Sequence, residues 1–237
     1  MIKAVIFDVD GTLAETEEVH RLAFNRAFAD AGLDWSWDQE LYRRLLKVTG
    51  GKERIAHFLE IFGMPPMEAA QIGALHKAKT AFYTRMVEGG EVLLRPGIAE
   101  FLDALRERRT KLAIATTTSL PNIEALLSST LGARWRDRFV AVAAGDMVER
   151  KKPAPDVYEL ALRLLELPAA DCVAVEDSRN GILSAKGAGL RVIAVRSAYC
   201  AADDLGGADV VLEDCRGLTM EVLEGEANDA LALRDAR

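Results

Sequence analysis

A chain of 237 residues, half of them hydrophobic and 28% charged, has enough apolar content to bury a sizeable core, which excludes a disordered protein. Its net charge of −7 excludes a chain that coats nucleic acid or an anionic membrane, because both need a dominant basic surface; a small anionic substrate needs only a local cluster of cations. No window approaches a membrane span and no secretory pattern opens the chain, so a cytoplasmic location is expected, with Cys172, Cys200 and Cys215 as free buried thiols.

The first predicted element is a short apolar strand over 3–8, KAVIFD. From about 16 to 88 four helices then follow in succession. One apolar stripe contains Leu22, Phe24, Ala27 and Phe28 and is stopped by Gly32; another contains Ile55, Phe58, Leu59 and Phe62 and is stopped by Gly63. Pro65 and Pro66 are expected to open the last long helix, and Trp35 and Trp37 to pack inside this group. Alternation follows: helix 98–108, a strand ending at Thr116, helix 122–131, a weaker strand over 139–144, helix 156–167, a strand ending at Asp177, helix 180–188 and strand 190–195. The pattern predicts an α/β fold, a doubly wound parallel sheet of Rossmann-like kind with an inserted α-helical domain. The expected division is a core of residues 1–15 and 90–237 and a helical cap of residues 16–89, hinged at crossings near 14–17 and 88–95. Beyond Leu218 the chain reads as a polar tail.

In an open parallel sheet the carboxyl ends of the strands share one crevice, so functional residues should stand where the apolar runs stop. The first run stops at Asp8-Val9-Asp10-Gly11-Thr12, the second at Thr116, the third is followed by Lys151-Lys152-Pro153, and the fourth stops at Glu176-Asp177. Alone, each has an ordinary reading: acids after a strand cap helices, and a lysine sits on a surface. Four in order supply acids, a hydroxyl and a cation, which fits phosphoryl transfer to a carboxylate. Asp8 would be the nucleophile, with Mg²⁺ held by Asp8 and Asp177 neutralising the charge of an anion attacking an anion. Lys152 adds a second positive charge, with Lys151 as its competitor. Thr116, helped by backbone N–H groups about Thr117, would donate to the equatorial oxygens. Asp10 is left to protonate the leaving alkoxide and then to deprotonate the attacking water.

Carried by DVDGT, Thr116, Lys152 and Glu176-Asp177 in this order, the sequence resembles the haloacid dehalogenase superfamily, across nearly the whole chain. The insertion after the first strand is similar to the helical cap of the β-phosphoglucomutase-like branch. That resemblance implies a cap that closes over the substrate, and metal ligation by both motif ends (Asp8, Glu176 and Asp177) and the backbone carbonyl of Asp10. TGGKERI at 49–55, ATTTSLPN at 115–122 and AGDMVERKKPAPD at 144–156 resemble the sugar-bisphosphatases of that branch associated with carbon fixation in the Calvin cycle. They imply hydrolysis of the 1-phosphate of xylulose-1,5-bisphosphate.

A bisphosphate needs a second anion site, for which the cap offers Gly51, Lys52 and Arg54 at a helix start, with Lys47 nearby. Glu17 and His20, three residues apart on the first cap helix, share a face and would hydrogen-bond sugar hydroxyls; His57 and His76 read as surface or packing residues. A small-molecule sugar phosphate is the expected partner of a monomer. The rivals are a phosphomutase using the same aspartyl phosphate, a phosphoglycolate phosphatase, a dehalogenase, which needs neither Asp10 nor the acidic pair, and a phosphoryl-accepting signalling module, which a cap would hide from its kinase.

Overall fold

The computed structural model describes residues 1–225 of the chain. Short runs of small and branched apolar residues form six parallel strands: β1 (Ala4–Phe7), β2 (Lys111–Ala115), β3 (Phe139–Ala143), β4 (Cys172–Glu176), β5 (Arg191–Val195) and β6 (Val210–Leu212). Their order is β3-β2-β1-β4-β5-β6, so strand order reverses beside the central β1. Alternation along each strand divides the core into two layers. Val5, Phe7, Ile114, Val175 and Ile193 pack under α5 (Ile98–Glu107), α6 (Leu120–Leu131) and α9 (Met220–Glu224). On the other face Ala4, Ile6, Ala113, Ala115, Ala174 and Ala194 meet α7 (Asp156–Leu165) and α8 (Arg179–Gly187). Small side chains there let the two helices lie close to the sheet, since packing distance follows the side chains at the contact.

Between β1 and α5 the chain forms α1 (Glu17–Asp30), α2 (Gln39–Leu45), α3 (Gly51–Ile61) and α4 (Ala69–Glu88). These helices bury a cluster of their own around Phe24, Phe28, Trp37, Tyr42, Ile55 and Phe58. Trp37 is fully buried, 4.7 Å from Phe24 and 4.9 Å from Phe28 between ring centroids. The two crossings run side by side: Ala14 bridges Leu94 antiparallel, and the Arg95 N–H donates to the Leu13 carbonyl at 2.9 Å.

The structure departs from the sequence reading at three elements. β6 was not expected, because three residues on a sheet edge, Val211 exposed and its two neighbours partly covered, make no buried apolar run. The polar tail beyond Leu218 begins as a helix: Thr219 caps α9, Val222 and Leu223 are buried, and Arg191 donates to both their carbonyls. The rest of that tail, 226–237, lies outside the described residues. The long helix α4 begins at Ala69, after the two prolines, where Gln71 Oε1 accepts the Glu68 N–H at 2.9 Å. Cys172 and Cys215 are buried free thiols, but Cys200 is only partly buried.

Candidate active site

Where strand order reverses, the carboxyl ends of neighbouring strands frame a crevice. β1 leads to Asp8, β4 ends in Glu176 with Asp177 next, β2 leads to Thr116, and the loop after β3 brings in Lys152. Lys152 Nζ lies 2.6 Å from Asp8 Oδ1 and 2.5 Å from Glu176 Oε1. Its neighbour Lys151 instead donates to the Gly145 and Val148 carbonyls at 2.8 and 2.7 Å, so one lysine shapes the loop and the other enters the site. Tyr158 on α7 donates to the same Glu176 oxygen at 2.7 Å. Thr116 is buried, and its hydroxyl accepts the Thr118 N–H at 3.2 Å. Two glycines make the crowding feasible. A Cβ on Gly11, whose φ is +78°, would stand 2.1 Å from Asp177 Oδ2, and one on Gly181 would stand 2.0 Å from Glu176 Oε2.

One carboxylate oxygen from each of Asp8, Glu176 and Asp177 lies within 4.8 Å of the others. Three buried acids against the single Lys152 ammonium leave an excess of negative charge. Burial pushes the Asp8 carboxyl up to about 8, against Lys152 and with Glu176 and Asp10 adding to the rise. Burial, then Glu176 and Asp8, lifts Asp177 well above the carboxylate range. Burial alone would discharge Lys152, but Asp8 and Glu176 outweigh it and hold the ammonium charged. Buried hard oxygens short of one or two positive charges fit a divalent cation such as Mg²⁺.

The Asp10 side chain stands outside that cluster. Its Oδ1 accepts the Thr16 hydroxyl at 2.5 Å and lies 2.9 Å from His20 Nε2, while His20 Nδ1 lies 2.6 Å from Lys79 Nζ. Those partners assign the imidazole proton to Nε2. Burial would raise Asp10, but His20 and Thr16 more than reverse this and hold it at about 2. Burial brings Lys79 down to about 7. His20 stacks on Tyr83 with centroids 4.1 Å apart. His20, expected to meet sugar hydroxyls, here has both ring nitrogens engaged, one by Asp10 and the other by Lys79.

Above the crevice, α1, α2 and α3 contribute a connected trio. Tyr42 donates to Glu17 Oε2 at 2.7 Å and accepts from Arg54 Nη1 at 2.9 Å. A cavity of about 700 Å³ between this trio and the strand ends is lined by Asp8, Asp10, Glu17, His20, Lys47, Gly51, Lys52, Arg54, Thr116, Thr117, Lys152 and Asp177. Glu176, fully buried, lies behind that wall. Lys52 and Lys47 are exposed and Arg54 is buried. His76, expected on the surface or in packing, also lines the cavity, where burial holds its pKa near 3. Sequence reasoning missed Tyr42, Tyr158 and the role of Lys79, since each acquires its partner only through folding.

Residues 2–189 match the haloacid dehalogenase-like hydrolase family. The chain is 53% identical over 213 residues to protein CbbY of Rhodobacter capsulatus, covering 90% of this chain and 93% of that one. It is 28% identical over 229 residues to the β-phosphoglucomutase of Bacillus subtilis, covering 95% of each. Crystal structures of CbbY from Rhodobacter sphaeroides, one in complex with phosphate and one of its D10N variant in complex with xylulose-1,5-bisphosphate, superpose with a TM-score of 0.86 at 50% identity, covering 92% of this chain and 96% of each of those. With its six-stranded parallel sheet and its strand-end acids, the chain belongs to the haloacid dehalogenase-like hydrolases and is a phosphatase of that family.

Proposed function

We propose that this phosphatase hydrolyses xylulose-1,5-bisphosphate to xylulose-5-phosphate and phosphate, with Mg²⁺, through an aspartyl phosphate on Asp8. The observation that carries the reading is one cavity lined both by Asp8 and Lys152 from the strand ends and by Lys52 and Arg54 from α3, a set of groups suited to a substrate with an anion at each end. The 50% identical structure that holds this bisphosphate supports the same choice.

Asp8 and Asp177, with Glu176 behind them and the Asp10 carbonyl as a further oxygen, would hold the Mg²⁺. When bound, it neutralises the phosphate and the attacking carboxylate as a Lewis acid. Lys152 fixes Asp8 through Oδ1, leaving the other oxygen for attack on phosphorus. As that P–O bond forms, the bond from phosphorus to the sugar oxygen breaks. Thr116, with backbone N–H groups about Thr117, donates to the equatorial oxygens. Asp10 hands a proton to the leaving alkoxide, and His20, with Lys79 behind it, is the adjacent source of that proton. Water then attacks phosphorus, Asp10 takes its proton, and Asp8 is released with inorganic phosphate.

We treat the helical insertion 16–89 as a cap that closes on the substrate. Glu17 would accept from sugar hydroxyls, and Gly51, Lys52, Arg54 and Lys47 would receive the distal phosphate. No helix among the described residues is long and apolar enough to cross a membrane, and we propose a cytoplasmic monomer, since one chain supplies every group named. The test is release of inorganic phosphate, with and without Mg²⁺, from xylulose-1,5-bisphosphate, ribulose-1,5-bisphosphate, phosphoglycolate and β-glucose 1-phosphate. Selective, Mg²⁺-dependent release from the xylulose compound is expected. Preference for another compound overturns the substrate, and isomerisation of β-glucose 1-phosphate without net phosphate release would make the chain a mutase.

A further inference from the structure

Immediately after β5, residues 196–200 run between the strand-end crevice and the inserted helices, and the base of this segment is tied down several times. Arg95, 8% exposed, donates to the carbonyls of Gly11 and Arg196, and its Nε lies 3.4 Å from Glu15 Oε1. Glu15 in turn accepts the Ala198 N–H at 3.2 Å. Ser197 is 4% exposed and its hydroxyl accepts the Cys200 N–H at 3.3 Å. Both crossings to the insertion, the catalytic turn at Gly11 and this segment therefore meet at one buried guanidinium, which presents five donors in a fixed fork and so holds several carbonyls in a set relation.

From that fixed base Tyr199 reaches the insertion. Its hydroxyl donates to Glu18 on α1, its ring stands edge-on to Tyr42 on α2 with centroids 5.8 Å apart, and the Arg43 guanidinium lies 5.0 Å from its centroid. The socket is organised in advance, because Arg21 holds Glu18 through Nε and Nη2 at 3.1 and 2.5 Å and also donates to the Trp37 carbonyl at 2.7 Å. Tyr42, against which the ring packs, is the residue that joins Glu17 to Arg54. A core side chain thus ends in the aromatic cluster of the inserted helices, beside the groups that would meet the sugar and its distal phosphate.

We propose that Tyr199 is a positioning residue for substrate selection: a fixed post of the core that sets the closed position of the cap, and through Tyr42 aims Glu17 and Arg54 at a bisphosphate whose other end lies on Asp8. The inference rests on the cap reading above. Two of the other links between the two parts, the Asn180 amide to the Lys47 carbonyl at 3.0 Å and the Thr49 hydroxyl to the Lys152 carbonyl, do not touch the Tyr42 trio. Tyr199 does.

The test compares wild type, Tyr199→Phe, Tyr199→Ala, Glu18→Gln and the double variant Tyr199→Phe/Glu18→Gln. Steady-state turnover of xylulose-1,5-bisphosphate is set against p-nitrophenyl phosphate, which carries no distal anion, and hydrogen–deuterium exchange is followed at the crossings 14–17 and 88–95. For the bisphosphate, Tyr199→Phe should lower kcat/KM roughly threefold to tenfold and Tyr199→Ala roughly thirtyfold or more, with KM rising, as loss of one charged hydrogen bond and then of the ring would give. The double variant should lose no more than the worse single one, because both remove the same contact. p-Nitrophenyl phosphate turnover should stay within about twofold of wild type, since uniform damage to the centre would affect both substrates. Exchange at the crossings should be faster in Tyr199→Ala. Equal losses on both substrates, additive losses in the double variant, or unchanged exchange would overturn the role of Tyr199. A wild-type protein inert to the bisphosphate but active on p-nitrophenyl phosphate would reject the substrate instead, and the exchange comparison would then decide Tyr199 alone.

Discussion

Lys79 is 4% exposed, and its ammonium has for neighbours an imidazole nitrogen 2.6 Å away and the rings of Phe24 and Tyr83 at 4.9 and 5.2 Å. Burial therefore lowers its pKa from 10.5 to about 7. The sign of the linked stability follows. Between 7 and 10.5 the unfolded chain keeps a proton that the folded chain has lost, so this group makes stability rise with pH across that window and fall as pH drops through 7. Lys79→Met should flatten the rise, which one group limits to about 1.4 kcal/mol per pH unit, in urea unfolding compared at pH 7 and 9.5. If Lys79 also feeds Asp10 through His20, the same variant should lose the limb of the turnover profile near neutrality while Mg²⁺ still supports residual activity. Asp8 and Asp10 separate by chemistry. Asp8→Asn should form no alkali- and hydroxylamine-labile phosphoenzyme, whereas Asp10→Asn should bind substrate with turnover reduced about 10²- to 10⁴-fold, the usual share of general acid–base catalysis. Normal phosphate release by Asp8→Asn would remove the nucleophile assignment altogether.

At the scale of elements, the turn after β1 is the tightest constraint. Gly11 combines a φ of +78° with the Asp177 carboxylate 2.1 Å from where a Cβ would stand, and its carbonyl accepts from Arg95. Gly11→Ala must therefore strain the backbone and displace Asp177, costing about 1–3 kcal/mol of stability. A matching rise in the Mg²⁺ needed for thermal protection would trace the cost to the acid cluster; unaltered protection would locate it in the backbone alone. This turn was legible in the sequence because strand ends coincide with the stops of apolar runs, which is why Asp8, Thr116, Lys152 and Glu176-Asp177 could be read in order. The helical insertion was legible for a similar reason, since its stripes at Phe24, Phe28, Ile55 and Phe58 repeat with helical period. β6 was not, being three residues at a sheet edge with the middle one exposed. Neither was the Glu17–Tyr42–Arg54 trio, whose first link spans 25 positions, nor the Tyr199–Glu18 contact, which spans 181. Periodicity reports which face of an element is covered, and it carries no information on which distant side chain covers it.

At the scale of the whole molecule, one cavity is lined by residues of both parts, and the proposed function assigns their charges different tasks. The strand ends contribute Asp8, Asp177 and Lys152 to its lining, and the inserted helices and their loops contribute Arg54, Lys52 and Lys47. Arg54 differs from the two lysines because it is 9% exposed and engaged by Tyr42, so its guanidinium is already ordered and desolvated before a ligand arrives. A preorganised, buried cation contributes more to recognition than an exposed lysine that must be immobilised on binding. Arg54→Met should accordingly lower kcat/KM for the bisphosphate by the equivalent of about 2–5 kcal/mol, the range for one partner of a buried charged contact. Lys52→Ala, with an exposed ammonium, should cost about 1 kcal/mol or less and lose its effect at raised salt. Both variants should leave p-nitrophenyl phosphate hydrolysis close to wild type, since that substrate presents nothing to these cations. A salt-sensitive loss in Lys52→Ala larger than the loss in Arg54→Met would move the distal phosphate outward, to the exposed start of α3. Equal losses on the monoester would instead make these cations a support of the strand-end centre, and the separation of tasks between the two sets of groups would have to be abandoned.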